Sequence, residues 1–265
     1  MADVKACVLR VCGTNCDIET KTALEDLGLN TEIIHMNQLL KGRKKLEDYH
    51  LLVIPGGFSY GDYVRAGAIW GKKLASKIRR DLETFIDEGK AIVGICNGFQ
   101  VLVESGILPG LNGLSEYPKV ALATNTSAKY ECRWVYLKHQ ASSCKLLSKL
   151  KERTVLRIPI GHGEGRFIAS KEVLDEIMKH NLVIFTYCRP DGSPANGEYP
   201  YNPNGSMLDI AGICNLKGNV MGMMPHPERA YFGWQMPDWT CSSEPQPYGD
   251  GRLILESIVE YVKSL

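Results

Sequence analysis

The stretch KAIVGICNGFQVLVESGIL, residues 90–108, predicts a strand that passes directly into a helix, with a cysteine at the junction. The residues before Cys96 are apolar or small, and those after Asn97 have helical spacing. Gly94 and Gly98 flank the cysteine as G-x-C-x-G, the pattern of a nucleophile elbow, in which a tight turn tolerates only small neighbours. The turn would place the sulfur at a helix N-terminus, which favours a thiolate. The same residues are also compatible with a buried cysteine between two incidental glycines.

Strands and helices alternate around this stretch in the first half of the chain. The apolar runs 6–11, 30–35, 50–55 and 91–95 predict strands, and 19–28 predicts a helix. A longer helix is predicted over 66–88, because its apolar residues share one helical face: Leu74, Ile78, Leu82, Phe85 and Ile86. This alternation predicts an α/β fold with a mostly parallel sheet covered by helices on both faces.

The second half is richer in strands. Apolar runs predict strands at 131–139, 154–160, 181–188, 209–215 and 219–226. Helices are predicted around 171–180 and over 252–263, the latter with Ile254, Ile258 and Val262 on one face. Long loops at 189–206 and 231–251 are of a length that is usually functional or disordered. Without repeats or an obvious linker, residues 1–265 are predicted to form one domain.

Composition excludes several classes of function. The 31 basic and 30 acidic residues give no strong field for nucleic acid or an anionic membrane, and no apolar run is long enough to span a bilayer. The N-terminus does not resemble a signal peptide. Nine cysteines without CxxC or zinc-like spacing indicate reduced thiols in a soluble cytoplasmic protein, and no metal site is expected. Cys7, Cys188 and Cys214, inside apolar runs, are expected to be buried.

A cysteine nucleophile needs a base and a group that orients it. His226 lies between two prolines in GMMPHPERA, directly after an apolar strand, and Glu228 lies two residues further on. In an extended segment these side chains would point to the same side, so the carboxylate could hold the imidazole in one tautomer. An H-x-E sequence alone is weak, since many surface strands contain it. His162 is the other candidate base, and the remaining four histidines have ordinary structural contexts.

The segment VIPGGFSYGDY, residues 53–63, is a strand that ends in Pro-Gly-Gly. Glycine permits backbone conformations that leave N–H groups facing outward. Such a loop beside the elbow could supply an oxyanion donor at Gly57, in addition to the Asn97 N–H. Alone, the segment is better explained as a glycine-rich turn without a catalytic role.

Taken together, these motifs resemble a known enzyme family. PGG after a strand, GICNGFQ at the elbow and MPHPER near the C-terminus resemble the class I glutamine amidotransferases, which use Cys, His and Glu in this order. GTNCD (13–17), PGGFSYGDYVRAGAI (55–69), GHGEGRF (161–167), NPNGS (202–206) and GNVMGMMPHPERA (218–230) are similar to the glutaminase subunits of phosphoribosylformylglycinamidine synthases.

The resemblance implies a flavodoxin-like fold and hydrolysis of glutamine to glutamate and ammonia in purine biosynthesis. The ammonia would pass to a synthetase subunit, which converts formylglycinamide ribonucleotide to the amidine with ATP. A small accessory subunit would complete the complex. This chain would bind no cofactor itself, ATP and Mg being used by the complex, and its partners would not include nucleic acid or a membrane.

The resemblance also implies roles for individual residues. Cys96 would be the nucleophile, His226 the base and Glu228 the residue that orients it. Further substrate contacts would come from Gly56, Gln100 and His162. Gln100, one turn beyond the cysteine, could instead be an ordinary helix residue, and His162 could shape either the glutamine site or a partner face.

Three other functions remain open at this point. A cysteine peptidase or chaperone-like protein of related build also has an elbow cysteine, but its histidine tends to follow that cysteine directly, where this chain has Asn97. A scaffold with a vestigial thiol is a second alternative. A glutaminase that serves another nucleotide or amino-acid synthetase is the nearest. Release of ammonia from glutamine, rather than cleavage of peptides, separates an amidotransferase from the first alternative.

Overall fold

The computed structural model describes residues 4–241, 243–244 and 246–265 and is built around a nine-stranded sheet. The strand order is β2-β1-β3-β4-β11-β10-β9-β6-β7, and β5 and β8 form a separate two-stranded sheet. The strands are β1 Lys5–Arg10, β2 Asn30–His35, β3 Leu51–Ile54, β4 Ala91–Ile95, β5 Val120–Thr124, β6 Glu131–His139, β7 Val155–His162, β8 Glu164–Ala169, β9 Val183–Cys188, β10 Ile210–Cys214 and β11 Val220–Met223.

Five neighbouring strands, from β2 to β11, are parallel. Their order is the doubly wound 2-1-3-4-5 arrangement, with β11 as the fifth strand. β4 is buried along its whole length, as expected for a strand with helices on both faces of its sheet. In register, Gly94 of β4 faces Ile54 of β3 and Gly222 of β11, so these three strands end at the same edge.

The helices cover this sheet with their apolar faces. They are α1 Asp17–Asp26, α2 Met36–Leu40, α3 Ala68–Lys77, α4 Arg79–Asp87, α5 Asn97–Glu104, α6 Lys171–Lys179 and α7 Gly251–Lys263. Ile254, Ile258 and Val262 of α7 are all buried, as their spacing predicts. Every residue of α5 is buried, because this helix packs between β4 and the neighbouring α3.

The single helix predicted over 66–88 is wrong. Two helices, α3 and α4, meet at Ile78, whose φ of −129° and ψ of 23° are not helical. Leu74, Ile78 and Leu82 are nevertheless all buried. Their four-residue spacing therefore continues across the break, which is why periodicity alone did not reveal it.

The other half of the sheet is antiparallel and contains β10, β9, β6 and β7, four of the five strands that the second half of the sequence predicts. The fifth, β11, joins the two halves, since it is parallel to β4 and antiparallel to β10. The last strand of the antiparallel half, β7, returns to the edge where β4 and β11 end, since the Pro159 carbonyl accepts a hydrogen bond from the His226 N–H. The small sheet of β5 and β8 was not predicted. The predicted α/β class is confirmed, with the parallel strands forming the half that carries the elbow.

Cys7, Cys188 and Cys214 are buried free thiols, as predicted. Among the described residues, no helix is both long and apolar enough to cross a membrane.

Candidate active site

Cys96 lies at the turn between β4 and α5 in a backbone conformation that L-residues rarely adopt. Its φ is 51° and its ψ is −106°, and its N–H donates to the carbonyl oxygen of Met223 in β11. A side chain on Gly98 would place a Cβ 1.8 Å from the Ile54 carbonyl oxygen, and one on Gly94 would lie 2.6 Å from the Gly98 carbonyl oxygen. Both glycines are therefore required by close packing. Strain of this kind costs of order 1–3 kcal/mol and is concentrated at functional sites.

His226 and Glu228 meet at the end of β11. The His226 Nδ1 donates to the Glu228 carboxylate over 2.6 Å, and both side chains are almost fully buried. Burial disfavours the charged imidazole, but the Glu228 carboxylate and then Cys96 favour it, so that the pKa of His226 is raised well above its usual range. With Nδ1 engaged by the carboxylate, Nε2 is the nitrogen left for proton transfer.

The predicted reason for this pairing is wrong. Residues Pro227–Arg229 form a short helical turn, so His226 and Glu228 do not lie in an extended segment. His226 itself keeps an extended conformation, and the turn that follows brings the carboxylate back to the imidazole. Pro227 suits the first position of such a turn, because its φ is already helical and it has no N–H to satisfy.

The Pro-Gly-Gly segment follows β3 at the same edge. A Cβ on Gly56 would lie 2.6 Å from His226 Cε1, so the backbone here packs directly on the imidazole. Gly57 has a φ of +148° and lies opposite Thr14 in an isolated antiparallel β-bridge. The hydrogen bonds of this bridge are made by the residues on either side of Gly57 and Thr14, not by these two residues themselves. In such a pair the N–H of the central residue points away from its partner, so the Gly57 N–H is not used by the 13–15 segment.

The Gln100 side chain is held by protein groups. Its carbonyl oxygen accepts from the Asn97 side-chain amide over 2.9 Å, and its own amide donates to the backbone carbonyl of Glu164. The Asn97 side-chain oxygen accepts in turn from the Ser59 N–H. These contacts tie the first turn of α5 to the segments on either side of it.

His162, at the end of β7, is buried, and burial lowers its pKa to about 3 with a further contribution from His226. The Asn125 side-chain oxygen already accepts from the Gly165 N–H and lies 3.2 Å from His162 Nδ1, which therefore carries the proton. Nε2 is then an acceptor, and it has no partner among the described residues. A neutral ring with one bare acceptor is suited to binding a donor rather than to proton transfer at neutral pH.

Sequence reasoning missed Cys16, the cysteine of GTNCD. Its Sγ lies 3.9 Å from His226 Nδ1 and 3.2 Å from the Asn15 side-chain oxygen. Burial raises the pKa of this thiol. Ligand atoms of Cys16, His226 and Glu228 lie within 4.8 Å of one another, so these residues could hold a metal ion. As Cys16 faces the nitrogen that Glu228 already binds, it is poorly placed to give its proton to His226.

The site is closed. Cys96 is 4 % exposed and His226 is 3 % exposed. The Cys96 Sγ lies 3.5 Å from the Gly161 carbonyl oxygen on β7. The half-exposed Tyr130 ring packs over Gly161 and lies 6.3 Å from the Phe58 ring. Glutamine therefore requires some opening of this cover to reach the thiol.

The aromatic residues of the 231–251 loop divide into two groups. Tyr231 is fully buried, and its hydroxyl donates to Asp26 over 2.6 Å. Trp234 is 60 % exposed and stacks on Phe232 with ring centroids 5.5 Å apart. Trp239 and Tyr248 are also partly exposed. Positions 242 and 245 of the loop lie outside the described residues.

Comparison with known proteins identifies a family. The family model of the CobB/CobQ-like glutamine amidotransferase domain matches residues 3–262. The phosphoribosylformylglycinamidine synthase subunit PurQ of Archaeoglobus fulgidus is 43 % identical over 276 residues, which cover 99 % of this chain and 98 % of the relative.

Solved structures agree with this assignment. A chain in the structure of PurLQS from Thermotoga maritima is 33 % identical, has a TM-score of 0.73 and is matched over 98 % of this chain and 99 % of its own length. A glutamine amidotransferase from the same organism has a TM-score of 0.52, covers 100 % of this chain and 94 % of its own length, and is 17 % identical, so it supports the fold alone.

Proposed function

The chain belongs to the PurQ family of glutamine amidotransferase subunits, and from this membership and the geometry of the site we propose that it hydrolyses glutamine to supply ammonia for purine biosynthesis. The observation that carries the proposal is the strained Cys96 at the end of β4, beside a buried His226 that Glu228 holds at 2.6 Å. This Cys-His-Glu order is the one that the sequence predicts.

The reaction begins with attack of the Cys96 sulfur on the side-chain amide carbon of glutamine. The N–H groups of Gly57 and Asn97 stabilise the oxyanion, and one such donor is typically worth about 3 kcal/mol. His226 gives a proton to the departing ammonia and then takes one from the water that releases glutamate. Glu228 keeps the proton on Nδ1 and stabilises the imidazolium.

Substrate binding is assigned to Gly56, Gln100 and His162. Gly56 packs its backbone directly against the His226 ring, with no space for a side chain between them. Gln100 contributes to substrate binding indirectly, by holding Asn97 and the backbone of Glu164 in place. The bare Nε2 of His162 is suited to accepting a hydrogen bond from the α-ammonium group of glutamine.

The proposed partners are a synthetase subunit and a small accessory subunit, and the structure of PurLQS from Thermotoga maritima, which includes a chain related to this one, supports an assembly with other subunits. The ammonia would pass to the synthetase, where ATP and Mg²⁺ would serve to activate the amide. This chain would form one glutamine amidotransferase domain and would bind no cofactor of its own for glutamine hydrolysis. A purine-biosynthetic complex of this kind belongs in the cytoplasm. The low exposure of Cys96 supports the expectation that the free chain is a poor glutaminase until its partners bind.

The test compares two nitrogen sources in the reconstituted complex. Cys96→Ala and Cys96→Ser should abolish synthesis from glutamine and leave synthesis from ammonia intact, because the thiol serves only to release ammonia. Cys12→Ala, which alters an exposed thiol, is the matched control and should affect neither.

A glutamine-like diazo-ketone should label Cys96 and none of the other eight cysteines. Retained glutaminase activity in Cys96→Ala, or labelling of Cys16 instead, would overturn the assignment of the nucleophile.

A further inference from the structure

The buried side chains of Cys16, His226 and Glu228 have a consequence beyond glutamine hydrolysis. Sulfur, imidazole nitrogen and carboxylate oxygen are the three ligand types that Zn²⁺ prefers in proteins. We propose that these residues form a zinc site that switches the glutaminase off. The inhibition rests on the proposed function, whereas the binding of zinc does not.

The observed distances are close to those that zinc requires. With Zn–S of about 2.3 Å and Zn–N or Zn–O of about 2.1 Å, tetrahedral ligands lie roughly 3.4–3.6 Å apart. The Cys16 Sγ lies 3.9 Å from His226 Nδ1, and Nδ1 lies 2.6 Å from the Glu228 oxygen. Zinc would draw the sulfur in and push the carboxylate out by less than about 1 Å each. Side-chain rotation can provide shifts of this size without moving a strand.

An unsatisfied oxygen points to the same ligand. The Glu228 Oε2 is buried and has no hydrogen-bond partner among the described residues. A buried carboxylate oxygen without a partner is costly, and a cation would satisfy it.

Charge and access are also compatible with a divalent cation. A Cys16 thiolate and the Glu228 carboxylate would balance Zn²⁺ beside a neutral His226. Two protons would leave, one from the Cys16 thiol and one from His226 Nδ1. Cys16 is buried, but its neighbour Asn15 is exposed, so one side of the site is close to the protein surface.

Zinc at this position would stop catalysis without touching Cys96. Coordination through Nδ1 leaves the remaining ring proton on Nε2, so His226 could no longer accept a proton there. It would also remove Glu228 from the imidazole. The ordinary inhibition of a thiol enzyme by zinc would instead use Cys96 and His226, and the two mechanisms require different cysteines.

The first measurement is the number of zinc ions bound per chain, determined by elemental mass spectrometry after dialysis against buffered free Zn²⁺. The wild type and Cys96→Ala should each retain one zinc per chain, and Cys16→Ala and Cys16→Ser should retain none at the same free zinc. Cys12→Ala should match the wild type. Circular dichroism and thermal melting of the metal-free variants show whether each is folded, and Cys16→Ser provides the answer if Cys16→Ala is not.

The second measurement is glutaminase rate in the complex as a function of free Zn²⁺, each variant being normalised to its own metal-free rate. Half-inhibition of Cys16→Ala should require at least tenfold more zinc than that of the wild type, and a chelator should restore the wild-type rate. Loss of zinc from Cys96→Ala with retention in Cys16→Ala would overturn the site. One zinc bound through Cys16 without inhibition would overturn the switch alone. A wild type that binds zinc through Cys16 but has no glutaminase activity even when it is metal-free would count against the proposed function instead.

Discussion

Replacement of Gly56 by alanine should damage catalysis while leaving the fold in place. The residue follows β3, and the structure places its missing side chain against the imidazole: an added Cβ would lie 2.6 Å from His226 Cε1 and 3.1 Å from Cys16 Sγ. Gly56 does not have the positive φ found at Gly57, so alanine is compatible with its backbone. The perturbation therefore acts on side-chain positions.

The size of the effect follows from the distance. Carbon atoms in ordinary contact are about 3.5 Å apart, so the His226 ring would have to move by about 1 Å. Such a shift stretches the 2.6 Å bond to Glu228 and misplaces the base. A displacement of about 1 Å can cost roughly a hundredfold in rate, whereas overpacking costs about 1–3 kcal/mol of stability. We expect kcat for glutamine hydrolysis to fall about a hundredfold in a chain that remains folded at 25 °C.

The assay is glutamate release by the reconstituted complex, with ammonia-driven synthesis as a check on assembly. Gly163→Ala is the matched control, because its added Cβ would meet Tyr130 at 4.0 Å, an ordinary contact in the same part of the site. It should remain within a few-fold of wild type. A Gly56→Ala chain that hydrolyses glutamine at the wild-type rate would refute the assignment of His226 as the base.

Four further predictions follow from single side chains. Burial raises the pKa of Asp62 to about 6, so its contribution to stability falls as pH rises through that value, and Asp62→Asn should raise the free energy of unfolding at pH 7 by about 1–2 kcal/mol in urea titrations. Glu228→Gln removes the charge that raises the pKa of His226, so the imidazolium should lose its proton at a lower pH. In a pH–rate profile, the fall in activity on the alkaline side should therefore begin at a lower pH than in the wild type. His162→Ala should raise the KM for glutamine far more than it lowers kcat, in contrast to His226→Ala; equal loss of kcat would reopen the choice of base. Trp234→Ala should reduce activation by the synthetase without changing the rate of the free chain, and unchanged activation would exclude a docking role for this exposed ring.

The sequence was informative where structure depends on local geometry. The G-x-C-x-G pattern predicted the turn from β4 to α5, and the structure shows why, since the Ile54 carbonyl leaves no space for a side chain at position 98. Both Asn30–His35 and Ala91–Ile95 were predicted to the residue. The second is an apolar run between turn signals, and in the first the apolar pair Ile33 and Ile34 lies in such an interval.

Features that depend on distant parts of the chain were missed. β8 contains two charged residues and a glycine, and it is held in place from outside, since the Phe167 N–H donates to the Ser206 hydroxyl and the Gly165 carbonyl accepts from the Asn204 side chain. Cys16 reaches the site from 210 residues away from His226. The GTNCD motif is part of the family resemblance, but neither spacing nor periodicity could show which side chain its cysteine would contact.

Two thiols approach one imidazole, and the structure gives reasons to assign them different tasks. Cys96 is held in a strained conformation that costs of order 1–3 kcal/mol, and neither Gly94 nor Gly98 has space for a side chain. Cys16 has a negative φ of −101° at the start of α1, faces the nitrogen that Glu228 occupies, and has a pKa raised by burial. A thiol kept protonated beside the wrong nitrogen contributes little to nucleophilic attack, yet the same position suits a metal ligand. The backbone strain is therefore found at the nucleophile, Cys96. The carboxylate with the unsatisfied oxygen, Glu228, lies on the Nδ1 side of the His226 ring, where a cation would bind.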